Sequence, residues 1–179
     1  MKSLSFEILD KNEAGKEFDC GVDSINQYVN ESYYATLTQQ AHAYRVVFKG
    51  KSLGYFMIMF RKVEKEDCTE EVSDYISDTI SDYFFSLHIK YIAIDKKYQR
   101  NGIGRTVLQT ILLEAKQLPD KLPIRMVTID ALTHLTKWYE KEGFKKMGRN
   151  ILCQEGISEY MYIDIGNIQN IEKYIEKFM

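Results

Sequence analysis

The segment that most restricts how this 179-residue chain can fold is Gln99-Arg100-Asn101-Gly102-Ile103-Gly104. Before it runs Leu87-His88-Ile89-Lys90-Tyr91-Ile92-Ala93-Ile94, rich in β-branched and aromatic residues and of strand length. After it, Ile103, Val107, Leu108, Ile111, Leu112 and Ala115 repeat at helical spacing as far as Leu118, where Pro119 stops the pattern. A strand that passes through a glycine loop into a helix leaves backbone N–H groups unpaired and pointing one way. The helix dipole adds partial positive charge there, and the two glycines keep β-carbons out of an anion's path. The segment therefore suits a phosphate or pyrophosphate. The chain has no Gly-x-x-x-x-Gly-Lys-Ser/Thr, which argues against a nucleotide-hydrolysing P-loop. It has no Gly-x-Gly-x-x-Gly after a strand, which argues against a dinucleotide fold.

Gln-x-x-Gly-x-Gly between a strand and an amphipathic helix resembles the acetyl-CoA pyrophosphate loop of the GNAT N-acetyltransferases. Taken alone, the loop also fits an ordinary helix N-terminus whose glycines serve tight packing. A second segment weighs against that. After Pro123 come a short apolar run, Ile124-Arg125-Met126-Val127-Thr128-Ile129, and then Leu132, Leu135, Trp138 and Tyr139 at helical spacing. Trp138-Tyr139-Glu140-Lys141-Glu142-Gly143-Phe144 is similar to the Phe/Leu-Tyr-Glu-Lys-x-Gly-Phe ending of GNAT enzymes. Gly143 reads as the left-handed residue just past a helix. The two motifs stand in the family's order and together cover residues 87–148.

A third segment points to a branch of that family. Phe18-Asp19-Cys20-Gly21 followed by Ile25-Asn26-Gln27-Tyr28 resembles the Phe-x-Cys-Gly opening of a GNAT branch. Many members of that branch are bacterial toxins that acetylate the amino group of aminoacyl-tRNA. The same residues also read as a helix start, with Asp23 or Ser24 as cap and Ile25, Tyr28 and Val29 as the buried face.

The rest of the chain is consistent with a single N-acetyltransferase domain over 1–179. Hydrophobic residues make up 45% and charged residues 28%, an ordinary globular mix that can bury a full core. No apolar run reaches the roughly 18 residues needed to span a membrane, and the first residues lack a signal-peptide core. Cys20, Cys68 and Cys153 are odd in number and far apart, which favours free thiols and a cytoplasmic location. His42, His88 and His134 have no metal-ligand spacing, so no metal is expected.

The patterning predicts a strand near 5–9, helical material over 23–40, and a hairpin of 44–48 with 53–60 turning at Lys49–Ser52. The cofactor strand, loop and helix follow, then the second strand and helix, with strands returning near 144–148 and 160–165. Ile168, Ile171, Tyr174, Ile175 and Phe178 predict a C-terminal amphipathic helix over 167–179. The expected fold is α/β. The resemblance makes it a mixed, largely antiparallel twisted sheet flanked by helices, with the acetyl-CoA cleft where strand 87–94 meets helix 104–118.

The resemblance also implies roles. Pantetheine would lie along Ile92, Ala93 and Ile94, bonded to their backbone. Gln99, Arg100, Asn101, Gly102, Ile103 and Gly104 would hold the pyrophosphate, with Arg100 and Arg105 adding side-chain charge. Tyr139 stands where many GNAT enzymes place the tyrosine that protonates the departing thiolate. A phenol of pKa near 10 keeps its proton at neutral pH and can donate to a thiolate of pKa about 8.5. Tyr139 also shares an apolar face with Leu132 and Leu135, where a tyrosine can be plain core. Relatives often carry a coenzyme-binding Asn seven residues before this tyrosine. This chain has Leu132 there, with Asp130 or Thr133 as substitutes. No general base stands out. His88 and Glu114 are the nearest titratable residues, and an α-amine of pKa about 8 needs a base less than a lysine does.

Residues 62–85 read as an acidic helical insertion, with eight carboxylates against Lys62 and Lys65 in a chain of net charge −2. Val72, Tyr75, Ile76, Ile80, Tyr83 and Phe84 would form its apolar face. Glu70, Asp74, Asp78 and Asp82 would form a stripe that is either solvated or a wall attracting a cationic amine. Three functions fit the chain: acetylation of a small-molecule or peptide amine, acetylation of aminoacyl-tRNA by a toxin that would have an antitoxin partner, and non-catalytic acyl-CoA binding. A homodimer is compatible with each. A tRNA binder should show a basic face, which the net charge does not advertise, although Arg45, Lys49, Lys51, Lys145, Lys146 and Arg149 could supply one.

Overall fold

The β-branched and aromatic runs form seven strands of one sheet in a computed structural model, which describes residues 4–11, 17–74, 76, 80–153 and 156–166. The strands are β1 (Ser5–Ile8), β2 (His42–Phe48), β3 (Lys51–Glu64), β4 (Tyr83–Ile94), β5 (Ile124–Leu132), β6 (Lys145–Cys153) and β7 (Gly156–Asp164). The helices are α1 (Asp23–Leu37), α2 (Glu70–Ser73), α3 (Ile103–Ala115) and α4 (Thr136–Lys141). Strand order is β1-β2-β3-β4-β5-β7-β6. All pairs are antiparallel except β4 with β5, as the expected mixed sheet requires. The expected C-terminal helix over 167–179 lies outside the described residues.

Each face of the sheet has its own core. Val107, Leu108, Ile111 and Ala115 of α3 pack on Leu87, Ile89, Ile94, Val127, Ile129 and Ala131, and Tyr139 of α4 joins them. On the opposite face Val29 of α1 meets Ala43, Tyr55, Met57, Tyr91 and Ala93. The Ser32 and Tyr91 hydroxyls pair there at 2.6 Å, which satisfies two buried polar groups. A third cluster joins Val72 of α2 to Val63, Met126, Tyr160 and Tyr162.

The acidic insertion is not the helix that its periodicity predicts. β3 continues to Glu64 and β4 begins at Tyr83, with Lys62–Glu64 paired to Tyr83–Phe85 across the ladder. Among the described residues between them, the helical parts are a 3₁₀ turn at Lys65–Asp67 and a single α-helical turn at Glu70–Ser73. Glu70, Asp74 and Asp82 therefore do not share a continuous helix face, and Asp78 and Tyr75 lie outside the described residues. The hydrogen-bonded ladder prevails over an i, i+4 pattern that is short and therefore ambiguous. The helix expected from Leu132 starts later for the same reason. Leu132 still pairs with Ser158, so the backbone stays extended through it. A 3₁₀ turn at Thr133–Leu135 then leads into α4. Gly143 closes α4 at φ +97°, with Phe144 N–H bonded to Tyr139 C=O at 3.0 Å.

Candidate active site

The one parallel pairing is short. β4 and β5 are joined only from Phe85↔Ile124 to Ile89↔Ile129, after which β4 runs on to Ile94 and β5 to Leu132 without pairing each other. Lys90 is an extra residue on β4, since Met57 opposes Tyr91 while Ile58 opposes Ile89. A bulge of this kind bends the strand away from its neighbour. Into the resulting gap opens a cavity of about 1170 Å³, large against the roughly 300–1,000 Å³ of common ligand sites. It is lined from both faces of the sheet: Gly104 and Tyr139 on the α3 and α4 side, Ile25 and Tyr28 of α1 on the other.

All residues expected to hold the coenzyme line this cavity except Asn101. Gly102 caps α3 in the left-handed region at φ +77°. The first helical hydrogen bond runs from Thr106 N–H to Gly102 C=O at 3.0 Å, so the N–H groups of Ile103, Gly104 and Arg105 precede the ladder and point out of it. A β-carbon at Gly104 would meet only Ile94 Cγ1, at 3.8 Å. Glycine is thus not demanded there by the protein's own packing, and its bare side faces the cavity. An anion such as a pyrophosphate fits that cradle.

Several side chains of the loop have other work than phosphate binding. The Gln99 amide donates to Cys20 C=O and to Ile94 C=O, both at 2.8 Å. The Asn101 amide donates to Tyr98 C=O at 3.3 Å and Gln99 C=O at 3.2 Å, which explains its absence from the cavity wall. Arg105 Nε donates to Glu142 Oε1 at 2.6 Å, so its charge is directed to the end of α4. Arg100 remains the loop's exposed cation, at φ +61°.

The N-terminal motif proves to be a strap on this loop. Lys96 N–H donates to Asp19 C=O at 2.8 Å, and Lys96 Nζ meets Asp19 Oδ2 at 2.8 Å. Asn26 holds the strap from α1: its oxygen accepts from Cys20 N–H at 2.9 Å and its amide donates to Asp19 Oδ1 at 3.1 Å. The hydrogen bond from Lys96, then those from Gly21 N–H and Asn26, lower the Asp19 pKa to about 2. Asn26→Ala should lose about 1 kcal/mol of stability and weaken coenzyme binding several-fold, read by thermal melting and calorimetry. A melting loss with unchanged coenzyme affinity would confine the strap to stability.

Tyr139 is 5% exposed and packs edge-on against Trp138 and Phe144. Its hydroxyl has no hydrogen-bond partner among the described residues, and burial raises its pKa well above the usual value. The core and cavity readings of this residue therefore hold together: the ring is packed while the residue lines the cleft. His88 is buried and off the cavity, with its pKa lowered to about 3 by burial and then by Arg61 and Lys90. It is neutral and not placed as a base. Glu114 is exposed on α3 and also outside the cavity. Asp130 lines the cavity, and sequence reasoning missed its partner: Arg61 Nη1 on β3 reaches both carboxylate oxygens, at 2.9 and 3.0 Å. Among the described residues no cluster of His, Cys, Asp and Glu could hold a metal ion. None of their helices is long and apolar enough to cross a membrane.

A family model described as an acetyltransferase (GNAT) domain matches residues 70–162, about half of the chain. The chain belongs to the GNAT acetyltransferase family. Solved structures of the same fold match along nearly its whole length. One is a bacterial toxin, with a TM-score of 0.76 and 19% identity, covering 98% of this chain and 97% of that one. Another is AtaT complexed with acetyl-methionyl-tRNAfMet, with a TM-score of 0.73 and 18% identity over 94% and 99% of the two chains. A third is a tyrosine-to-phenylalanine mutant of the AtaT toxin bound to the C-terminus of the antitoxin AtaR and acetyl-CoA, with a TM-score of 0.68 and 17% identity over 94% and 97%. No curated protein matches. These whole-length matches also span β1, α1 and the strap, which lie outside the family-model match.

Proposed function

We propose that this GNAT enzyme moves an acetyl group from acetyl-CoA to a primary amine, with Tyr139 as general acid. The observation that carries this is one cavity that holds both the bare N-terminus of α3 and the unpartnered Tyr139 phenol. Acetyl-CoA, when bound, supplies an activated thioester. The N–H groups of Ile103, Gly104 and Arg105 take the pyrophosphate, and the edge of Ile92–Ile94 that faces β5, left open while the other edge pairs with β3, takes the pantetheine arm. Tyr139 holds a proton at the carbon–sulfur bond that breaks as the amine nitrogen bonds to the carbonyl carbon. The amine's own proton leaves to water.

The α-amine of aminoacyl-tRNA is a second reading of the acceptor, supported by whole-length likeness to a toxin solved with acetyl-methionyl-tRNAfMet. With it would come an antitoxin partner, as AtaT has in AtaR. Charge weighs the other way. Arg45 pairs with Glu7, Lys145 with Glu71 and Lys146 with Glu159, so half of the candidate basic patch is engaged within the fold. Thiol release from acetyl-CoA, measured against polyamines, amino acids, peptides and charged tRNA, separates these readings. Release with charged tRNA that falls steeply with salt would select the toxin reading. Release with free amines only, indifferent to salt, would select a small acceptor. No release with any amine would sink acetyl transfer.

A further inference from the structure

Behind the cleft lies a largely buried polar network. Ser86 and Thr128 hydroxyls pair at 2.9 Å, and Thr128 Oγ1 meets His88 Nδ1 at 3.1 Å. His88 Nε2 faces Arg61 Nη1 at 3.4 Å, and Arg61 binds Asp130. Tyr160 packs its ring on the Arg61 guanidinium, 4.7 Å away. Of these residues only Asp130 lines the cavity. A buried network ending in one carboxylate at a cavity wall holds that carboxylate in place.

The side of the sheet that Asp130 occupies matters. Ile129 and Ala131 belong to the core under α3 and α4, on the side of the phosphate cradle and Tyr139. Successive strand residues point to opposite faces, so Asp130 projects to the face of α1. The gap between β4 and β5 lets both faces open into the same cavity. An acceptor reaching the thioester from the α1 side passes Asp130 first.

We propose that Asp130 binds the acceptor's amine, accepting its N–H hydrogen bond while Arg61 fixes the carboxylate from behind. This rests on the amine-acetylation reading above. Arg61 approaches both oxygens through one nitrogen, and each carboxylate oxygen has a further lone pair. Asp130 is 23% exposed at its side chain, so the carboxylate stays within reach of a ligand. His88, neutral because burial and its cationic neighbours oppose protonation, adds no charge to compete with the amine. The other charged or titratable groups on the wall nearby are Lys90 of β4, set over the Tyr28 ring at 5.0 Å, and His134 beyond β5. The class of acceptor is then an amine with at least one N–H free to face a carboxylate, presented from the α1 side.

The test needs no turnover. Two probes are compared by calorimetry on the full chain: CoA itself, and CoA whose sulfur is joined through an ethylene bridge to the nitrogen of methioninamide, leaving a secondary ammonium. The parent protein should bind the bridged probe more tightly than CoA. Asp130→Asn should abolish at least about tenfold of that gain, the loss expected for a charge-assisted hydrogen bond, while CoA affinity stays unchanged and certifies the fold. Arg61→Lys, which keeps a cation but loosens the carboxylate, should lose part of the gain. An undiminished gain in Asp130→Asn would overturn the proposal. Equal loss for CoA and the bridged probe would also overturn it, assigning Asp130 to pantetheine instead. If the parent gains nothing from the bridged amine while CoA binds, the amine-acetylation reading itself fails, and the proposal with it.

Discussion

Tyr139→Phe should lower turnover on the order of 10²-fold, about 2.7 kcal/mol of transition-state stabilisation. The ring keeps its edge-on contacts with Trp138 and Phe144, so the cleft wall should not move. The hydroxyl has no partner in the fold and is not one of its fully buried polar atoms, so its removal breaks no internal hydrogen bond. The melting temperature and the coenzyme affinity should therefore stay unchanged. Because burial raises the phenol's pKa, the proton stays on oxygen throughout the working pH range. The hydroxyl then acts as a donor to the charge developing on sulfur, and no alkaline limb below pH 10 should come from this group. Single-turnover rates with saturating acetyl-CoA and a competent amine read the effect directly. An unchanged rate would leave Tyr139 with a packing role alone.

Gly104→Val should cost at least about 10²-fold in CoA affinity, the equivalent of two charge-assisted hydrogen bonds to phosphate. The fold should tolerate it, because the new β-carbon meets only Ile94 Cγ1 at 3.8 Å and helical φ suits any residue. Gly104→Ala should weaken binding less and stabilise the free protein, since glycine is the poorer helix former by about 1 kcal/mol. Gly102 gives a less clean test, because its φ of +77° strains any other residue whether or not a ligand is bound. Calorimetric titration with CoA beside thermal melts separates the two effects. Tight CoA binding by a well-folded Gly104→Val protein would show that the pyrophosphate does not sit on this loop.

What could be read from the chain was local. The strand, loop and helix around Gly102 follow from β-branched runs, glycine positions and a 3.6-residue period within thirty residues of sequence. Tyr139 follows from a short motif. What could not be read was fixed by partners far along the chain. Arg105 reads as a phosphate ligand from its place beside the loop, and nothing local announces Glu142, 37 residues on, which pairs with it. Arg61 carries no local signal at all, since its meaning comes from Asp130, 69 residues away and two strands across. The acidic stretch misleads for a related reason. Glu70, Asp74, Asp78 and Asp82 match a helical period, but the ladder between β3 and β4 draws in the residues at both ends.

The strap at Asp19–Cys20 ties the glycine loop to α1, which makes the two ends of the cavity parts of one equilibrium. Lys96 and Gln99 hold it on one side and Asn26, in the first turn of α1, on the other, while Tyr28 two residues further on lines the cavity. A ligand that rigidifies the loop spends the ordering entropy of that joint once, and whatever next binds against α1 does not spend it again. By reciprocity, whatever binds against α1 alters affinity at the loop by the same factor that a ligand on the loop alters its own. The order of ligand addition at the two ends of the cavity then reads a single coupling constant, held in a few hydrogen bonds at the protein's surface.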